Sequence, residues 1–303
     1  MSRKIKWPNN KKFAFTIVDD TDGAFFDNIS PVYDFLSQCG LLTTKTCWVF
    51  PPRDDIFKGA CLEDNAYLAY LQKLNKQGFE MAFHGAGSGG YNRNETLNAL
   101  EFFKSSFGYY PKMHINHGNN IDNIYWGKKR FVGIVKLIYS LREKGRHSEG
   151  DNIGSDYYWA DFACKNIKYI RNRTFKHLNT LCDDSRLVYK EIGKQNSNYW
   201  FSSSDGMDLN SFLRLVSKSN IDKLEKHGGC AIIYTHFGYG FVKDGILDKK
   251  FKDAINYLSS KNGWFAPASD ILDYVLEQKT YKPSYFYQFI HDLKWLLQRI
   301  FRK

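Results

Sequence analysis

The chain has few features of an exported or membrane-spanning protein. None of its six cysteines forms a C-x-x-C pair, and several lie inside apolar runs, so we expect buried thiols in a reducing compartment and not a disulfide framework. No apolar run is long enough to span a bilayer, and no apolar signal segment follows the basic N-terminus. These absences predict a cytoplasmic protein.

Acidic residues are scarce relative to basic ones. The 303 residues include 32 Asp and Glu against 43 Lys and Arg, a formal net charge of +11, which favours anionic partners such as phosphate or a phospholipid surface. Helix-turn-helix, RNA-recognition and zinc-finger patterns are missing, so nucleic acid is not expected as a partner. With 43% hydrophobic and 17% aromatic residues, the chain suits one large globular domain with or without a small addition.

Short apolar runs alternate with amphipathic stretches along the chain. Strands are predicted at 13–20, 43–50, 79–85, 113–118, 166–173, 230–236 and 264–267, and helices at 31–40, 63–77, 95–107, 210–227 and 250–260. This alternation predicts an α/β fold with a parallel sheet. Seven strands are too few for a full eight-stranded barrel, so we expect a distorted (β/α) barrel first and an open doubly wound sheet second. Residues 119–165 and 174–209 are predicted to form long loops over the strand ends.

Four of the predicted strands end in side chains that can bind a metal ion or transfer a proton. The first ends in Asp19 and Asp20, and later strands end in His84, His117 and His236. Taken singly, each has an ordinary explanation as a polar turn or a packed histidine. The C-terminal ends of parallel strands meet on one face of a barrel, however, and four such ends in one chain indicate a metal-assisted hydrolase.

The order of these motifs resembles that of the NodB-type polysaccharide deacetylases, carbohydrate esterases built on a distorted (β/α) barrel. The family's Thr-Phe-Asp-Asp-Gly motif corresponds to the stretch that begins at Thr16 and contains Asp19 and Asp20. The resemblance implies that Asp19 is the general base and Asp20 a metal ligand. It likewise implies that His236, which ends an apolar strand, is the general acid.

The family's second motif, His-Ser/Thr-x-x-His, is incomplete. His84 matches its first histidine as a metal ligand, but Ser88 stands where the second would be. A catalytic zinc usually has three protein ligands and an open position, so we expect one divalent ion, zinc, with His117 as the third ligand. His114 and His147 remain open as alternatives, and Ser88 could hold a water on the metal.

Three further residues are candidates for substrate binding. Trp159 and Asp161 lie in an aromatic stretch, where Trp159 could stack on a sugar ring and Asp161 could orient a catalytic group. Arg93 could meet an anionic group of the substrate. Ordinary loop packing and solvent exposure are equally open explanations.

The last residues form a unit of their own. We expect residues 1–280 to form the barrel and 281–303 a basic amphipathic helix with apolar residues at helical spacing. Such a helix suits peripheral contact of residues 285–303 with the anionic inner face of a membrane. The alternative is that its apolar stripe docks on the barrel or on a second subunit.

Together these features predict a metal-dependent hydrolase that removes an N-acyl group, expected to be acetyl, from an amino sugar or surface-polysaccharide precursor. One alternative is a catalytically inactive barrel that binds a glycan or organises a membrane assembly. A third hypothesis, motivated by the net charge, is a metalloenzyme acting on phosphate or nucleic acid.

Overall fold

The computed structural model describes residues 5–142 and 148–301. Its strands are β1 Phe13–Asp19, β2 Thr44–Cys47, β3 Glu80–Phe83, β4 Met113–His114, β5 Tyr169–Phe175, β6 Val188–Tyr189, β7 Tyr199–Asp205, β8 Cys230–Thr235, β9 Val242–Lys243, β10 Ile246–Leu247 and β11 Gly263–Phe265. Its α-helices are α1 Phe26–Gln38, α2 Asn65–Lys76, α3 Arg93–Phe107, α4 Gly133–Arg142, α5 Ala160–Asn166, α6 Thr180–Asp183, α7 Leu209–Leu215, α8 Lys218–His227, α9 Lys249–Ser259, α10 Ala268–Gln278 and α11 Tyr285–Ile300.

Seven parallel strands close into a barrel. Their order around the ring is β1, β2, β3, β4, β5, β7 and β8, and β8 pairs again with β1 over Ala14–Asp19. Helices surround the ring, and α11 follows at the C-terminal end of the chain. The distorted (β/α) barrel expected from the sequence is therefore confirmed.

Strand β7, which lies between β5 and β8 in the ring, was not predicted, and the prediction of an irregular loop at 174–209 was wrong there. Strand β7 contains Ser202 and Ser204, so it lacks the apolar run by which strands are recognised. Both hydroxyls are buried and donate hydrogen bonds, from Ser202 to Asp184 at 2.7 Å and from Ser204 to the carbonyl of His177 at 2.6 Å. Strand β11 lies in the predicted segment 264–267 but pairs only with the first half of β1, outside the ring.

The other boundaries differ from prediction in ways that have local causes. The segment 210–227 forms two helices, α7 and α8, because Ser217 interrupts the run and caps α8 at the amide of Asn220. The prediction of a long loop at 119–165 was wrong where α4 forms and where α5 begins at Ala160. Helix α5 has seven residues, about two turns, which is too short for a periodic pattern to show.

Side chains alternate between two apolar layers along each strand. In β1, Phe13, Phe15 and Ile17 pack outward against the helices, whereas Ala14 and Val18 pack in the interior of the barrel. Successive side chains of a strand point to opposite faces. This rule decides which of the polar residues at the strand ends reach the interior.

Cys47, Cys61 and Cys230 are buried thiols, as expected, whereas Cys39 and Cys164 are half-buried and Cys182 is exposed, so the expectation of buried thiols was wrong for these three. Within residues 5–142 and 148–301, no helix has the length and apolar character needed to cross a membrane. Helix α11 packs on the barrel wall near β5 and on α4.

Candidate active site

The interior-facing residues at the strand ends converge at one end of the barrel. Asp20 continues the inward series of Ala14 and Val18 on β1, and Arg171 lies on β5. His84, His117 and His236 follow β3, β4 and β8. All five are buried, with exposed fractions between 1% and 7%.

Asp22 stands at the centre of the three histidines. One carboxylate oxygen of Asp22 lies 2.7 Å from Nε2 of His117. The other lies 3.2 Å from Nε2 of His84 and 3.3 Å from Nε2 of His236. The turn after β1 therefore brings a single carboxylate to three imidazole rings from three different strands.

Each of these rings is held by its other nitrogen. Nδ1 of His84 donates to the carbonyl of Ile115 at 3.0 Å, and Nδ1 of His236 donates to the carbonyl of Met207 at 2.8 Å. Nδ1 of His117 donates to the side-chain oxygen of Asn120 at 3.1 Å. In the neutral tautomer that makes these bonds, the lone pair of each Nε2 points toward Asp22.

The arrangement suits a divalent metal ion. One carboxylate oxygen of Asp22 and one ring nitrogen each of His84 and His117 lie within 4.8 Å of one another. The carboxylates of Asp20 and Asp22 and the ring of His236 form a second group of three possible ligands at the same spacing. Lone pairs that face a carboxylate without an intervening proton or cation would repel it. Two imidazoles and a carboxylate are a donor set that zinc uses in catalytic sites, and hydrogen bonds from Nδ1 are the usual support of metal-binding histidines.

Asp20 forms an ion pair with Arg171 at the edge of this cluster. Two nitrogens of the guanidinium lie 2.8 and 2.5 Å from the two carboxylate oxygens. The guanidinium also lies over the ring of Tyr234, 4.3 Å from its centroid. Burial is the largest influence on the pKa of Asp20 and would raise it, but the charge and hydrogen bonds of Arg171, together with His84 and His236, outweigh burial and lower that pKa, so the carboxylate stays ionised.

Asp19, the general base implied by the resemblance, lies on the outer side of β1. Its carboxylate is 3.0 Å from Nζ of Lys45 and accepts hydrogen bonds from the hydroxyl of Tyr33 at 3.0 Å and the amide of Phe237 at 2.7 Å. Both members of the ion pair are fully buried. The alternation of side chains along β1 thus separates Asp19 from the cluster that Asp20 joins.

The alternative third ligands lie elsewhere. His114 points outward from β4, where its ring packs edge-on against Trp159 and Nε2 lies 3.1 Å from the side-chain oxygen of Asn116. Burial lowers the pKa of His114 to about 3, so it is neutral. His147 lies outside the described residues. Ser88 is buried beside the cluster, 3.5 Å from Nδ1 of His117, and donates a hydrogen bond to Asp54.

The three residues predicted to bind substrate make contacts within the protein. Trp159 is fully buried and donates from its indole nitrogen to the carbonyl of Asp122 at 2.7 Å, so its ring has no face free for a sugar. Arg93 and Asp161 bind each other through two hydrogen bonds of 2.7 and 2.9 Å. This pair joins the start of α3 to α5.

Sequence reasoning missed two central residues of the site. Asp22 lies two residues after Asp20, and this spacing is a signal that both side chains can reach one side of the chain. Arg171 is one of several polar residues of the predicted strand 166–173, and a buried arginine in a strand needs a partner. That partner, Asp20, is 151 positions away along the chain, and no local pattern identifies it.

Comparison with known proteins supports the barrel fold through solved structures and not through sequence. No family model matches the chain, and none of the curated proteins is similar to it in sequence. Solved structures do match: a protein assigned as a polysaccharide deacetylase from Mycobacterium smegmatis has a TM-score of 0.53 at 13% identity and covers 93% of this chain and 96% of its own. The barrel has the fold of this structure.

Two further structures with this fold extend the comparison. Puue allantoinase has a TM-score of 0.56 at 12% identity, with 91% of this chain and 94% of that chain covered. A protein assigned as a polysaccharide deacetylase from Pseudomonas aeruginosa PAO1 has a TM-score of 0.54 at 12% identity, with 91% and 95% covered. The NodB-type fold predicted from the motifs is confirmed, and at these identities the likeness concerns the fold alone.

Proposed function

We propose that the protein is a metal-dependent hydrolase that removes an acyl group from an amide of an amino sugar. The observation that carries this proposal is the convergence of Asp22, His84 and His117 at the end of a deacetylase-type barrel. These three residues would hold the ion. When bound, a divalent ion such as zinc polarises an acyl carbonyl and lowers the pKa of water.

Asp20 is the general base in this proposal, one position after the residue that the motif resemblance implies. Its carboxylate is within 3.9 Å of Nε2 of His84 and therefore borders the metal-ligand group. Arg171 binds both oxygens of Asp20 and keeps it ionised. An ionised carboxylate in this position can accept the proton of an attacking water.

His236 is the general acid. It is more exposed than His84 and His117, and its ring lies 4.7 Å from the exposed ring of Tyr239. Its Nδ1 is occupied by the carbonyl of Met207, so Nε2 is the nitrogen that exchanges a proton. A proton delivered from Nε2 to the nitrogen of the scissile amide would release the amine.

The substrate class rests on the likeness to deacetylases. We infer an N-acetylated amino sugar, either free, lipid-linked or within a surface polysaccharide precursor, because proteins assigned as polysaccharide deacetylases share this fold over almost their whole length. Because Trp159 is buried, it cannot stack on a sugar ring. Tyr239, which is exposed beside His236, is an aromatic residue that can take this role.

Elemental analysis of the purified protein tests the proposal. We expect about one zinc or similar ion per chain, lost in Asp22→Asn, His84→Ala and His117→Ala. Its matched control is His114→Ala, since His114 is an equally buried histidine outside the cluster and this variant should keep the ion. Circular dichroism identifies any variant that fails to fold.

Acetate release from N-acetylglucosamine oligosaccharides tests the activity. Hydrolysis by the metal-loaded protein, and its loss in Asp20→Asn with the ion retained, would support the assigned roles. Absence of any stoichiometric metal after reconstitution would overturn the proposal. It would leave the inactive, glycan-binding barrel as the better hypothesis.

A further inference from the structure

Tyr234 is half-buried in β8, a strand whose other residues are buried. Cys230 and Ile232 of this strand pack in the interior of the barrel, whereas Ile233 packs outward. Side chains alternate along a strand, so Tyr234 continues the inward series, two residues before His236. Its ring therefore stands inside the barrel next to the proposed general acid, with part of its surface accessible.

The hydroxyl of Tyr234 borders the nitrogen that exchanges a proton in the proposed reaction. It lies 3.4 Å from Nε2 of His236. The same nitrogen lies 3.3 Å from a carboxylate oxygen of Asp22, and Nδ1 of the ring is occupied by the carbonyl of Met207. Among residues 5–142 and 148–301, the hydroxyl of Tyr234 has no other hydrogen-bond partner, so it is available to this imidazole.

The ring of Tyr234 is fixed by Arg171. The guanidinium lies over the ring, 4.3 Å from its centroid, while two of its nitrogens bind the two carboxylate oxygens of Asp20. The attraction between a cation and an aromatic face is stronger when both are shielded from water, as they are here. One chain of contacts thus joins the proposed general base to the proposed general acid, through Asp20, Arg171, Tyr234 and His236.

A hydroxyl suits both protonation states of a general acid. It can accept a hydrogen bond from Nε2–H, and after that proton has left it can donate to the lone pair of Nε2. The ionised carboxylate of Asp22 can only accept, so it supports the protonated imidazole alone. Burial raises the pKa of Tyr234 well above its ordinary value, and the hydroxyl therefore keeps the proton that it would donate.

We propose that Tyr234 is a positioning residue for the general acid, and that its hydroxyl orients Nε2 of His236 before and after proton transfer. The inference rests on the proposed function, because it takes His236 as the acid. In that step the proton moves from Nε2 to the nitrogen of the tetrahedral intermediate. The carbon–nitrogen bond then breaks, its electron pair stays on nitrogen, and the amine leaves. Tyr234 keeps its own proton and turns it toward the neutral Nε2.

The leaving group of the substrate separates this role from others. The amide of an N-acetylglucosamine oligosaccharide needs a proton on its leaving nitrogen, whereas p-nitrophenyl acetate releases a stable phenolate without one. Tyr234→Phe removes the hydroxyl and keeps the ring that Arg171 covers. The matched control is Tyr199→Phe, the same exchange at a half-buried interior tyrosine at the start of β7, near the opposite end of the barrel. Circular dichroism checks the fold of both variants.

We expect Tyr234→Phe to lower kcat for the oligosaccharide by at least about tenfold, with KM within about threefold of wild type and metal content unchanged. Hydrolysis of p-nitrophenyl acetate should change by less than about threefold, and Tyr199→Phe should match the wild type on both substrates. Undiminished amide hydrolysis in Tyr234→Phe would overturn the proposal. So would an equal loss on the two substrates, because the hydroxyl would then act on a step that both share.

NMR of protein labelled on its histidine nitrogens tests the contact without using activity. The Nε2 resonance of His236, assigned by its absence in His236→Gln, should shift in Tyr234→Phe and stay in place in Tyr199→Phe. An unshifted resonance in Tyr234→Phe, with an active wild type, would overturn this inference alone. A wild type that hydrolyses neither substrate would overturn the proposed function, and the role of Tyr234 with it.

Discussion

The buried ion pair between Asp19 and Lys45 separates a structural role of Asp19 from a catalytic one. The charged atoms are 3.0 Å apart, and neither side chain has any exposed surface. Burial is the largest influence on the pKa of Lys45 and would lower it, but the charge and hydrogen bond of Asp19, together with Tyr67 and Cys47, outweigh burial and raise that pKa. Burial also raises the pKa of Asp19 itself, against the opposing charge of Lys45. Asp19→Asn keeps the shape of the side chain and leaves this ammonium without a counter-charge.

We expect Asp19→Asn to lower the free energy of unfolding by about 3–5 kcal/mol, the usual cost of removing one partner of a buried pair. The hydrogen bonds from Tyr33 and the amide of Phe237 would then go to a neutral side chain, and their weakening contributes to the same loss of stability. In Asp19→Asn/Lys45→Met both charges are gone and the volume is nearly kept. This double variant should therefore recover a large part of the lost stability.

Urea unfolding followed by tryptophan fluorescence measures these differences, and acetate release measures activity on the same samples. The double variant should be folded and within about tenfold of wild-type activity, since Asp19 faces away from the cluster in this structure. Two results would refute the reasoning. One is an Asp19→Asn protein as stable as the wild type, and the other is a stable double variant that has lost activity by a hundredfold or more.

Two further predictions concern other buried charges. Arg171→Met should reduce the rate of hydrolysis by about a hundredfold or more with metal content unchanged, because Asp20 loses a partner that keeps it ionised. A folded variant that hydrolyses the substrate as fast as the wild type would contradict this role of Arg171. Burial lowers the pKa of His291 to about 4, below its value of about 6.5 when unfolded, so the stability that the neutral ring contributes is complete above pH 6.5 and is lost as pH falls toward 4. Urea titrations at pH 7 and pH 4.5 should show a loss of up to about 3 kcal/mol that is absent in His291→Phe, and parallel losses in the two proteins would refute this assignment.

The position of Asp22 shows why adjacent carboxylates in a motif do not settle their own roles. The motif places Asp19, Asp20 and Asp22 within four residues, and each ends in a different environment. Asp19 faces the helices, Asp20 meets Arg171 and Asp22 meets the histidines. Their chemistry is assigned by the partners that the barrel brings to each of them.

The sequence by itself determined the features that depend on local periodicity. Apolar runs marked six of the seven strands of the ring, and polar residues at their ends placed His84, His117 and His236 at one end of the barrel. Period-2 alternation also separated His114 from His117, which face opposite sides of the sheet. These inferences succeed because the order of residues along a strand specifies where the strand ends and which side chains share a face.

The tertiary structure decided what depends on contacts between distant segments. Strand β7 is defined by its pairing with β5 and β8, and its buried Ser202 and Ser204 find their hydrogen-bond partners at Asp184 and the carbonyl of His177. Asp22, and not the motif pair alone, meets the histidines because the turn after β1 curls into the barrel opening. Helix α11 buries Asp292 against the barrel, where Arg173 on β5 forms an ion pair with it. In each case the free energy comes from a partner distant in sequence, which no window of neighbouring residues contains.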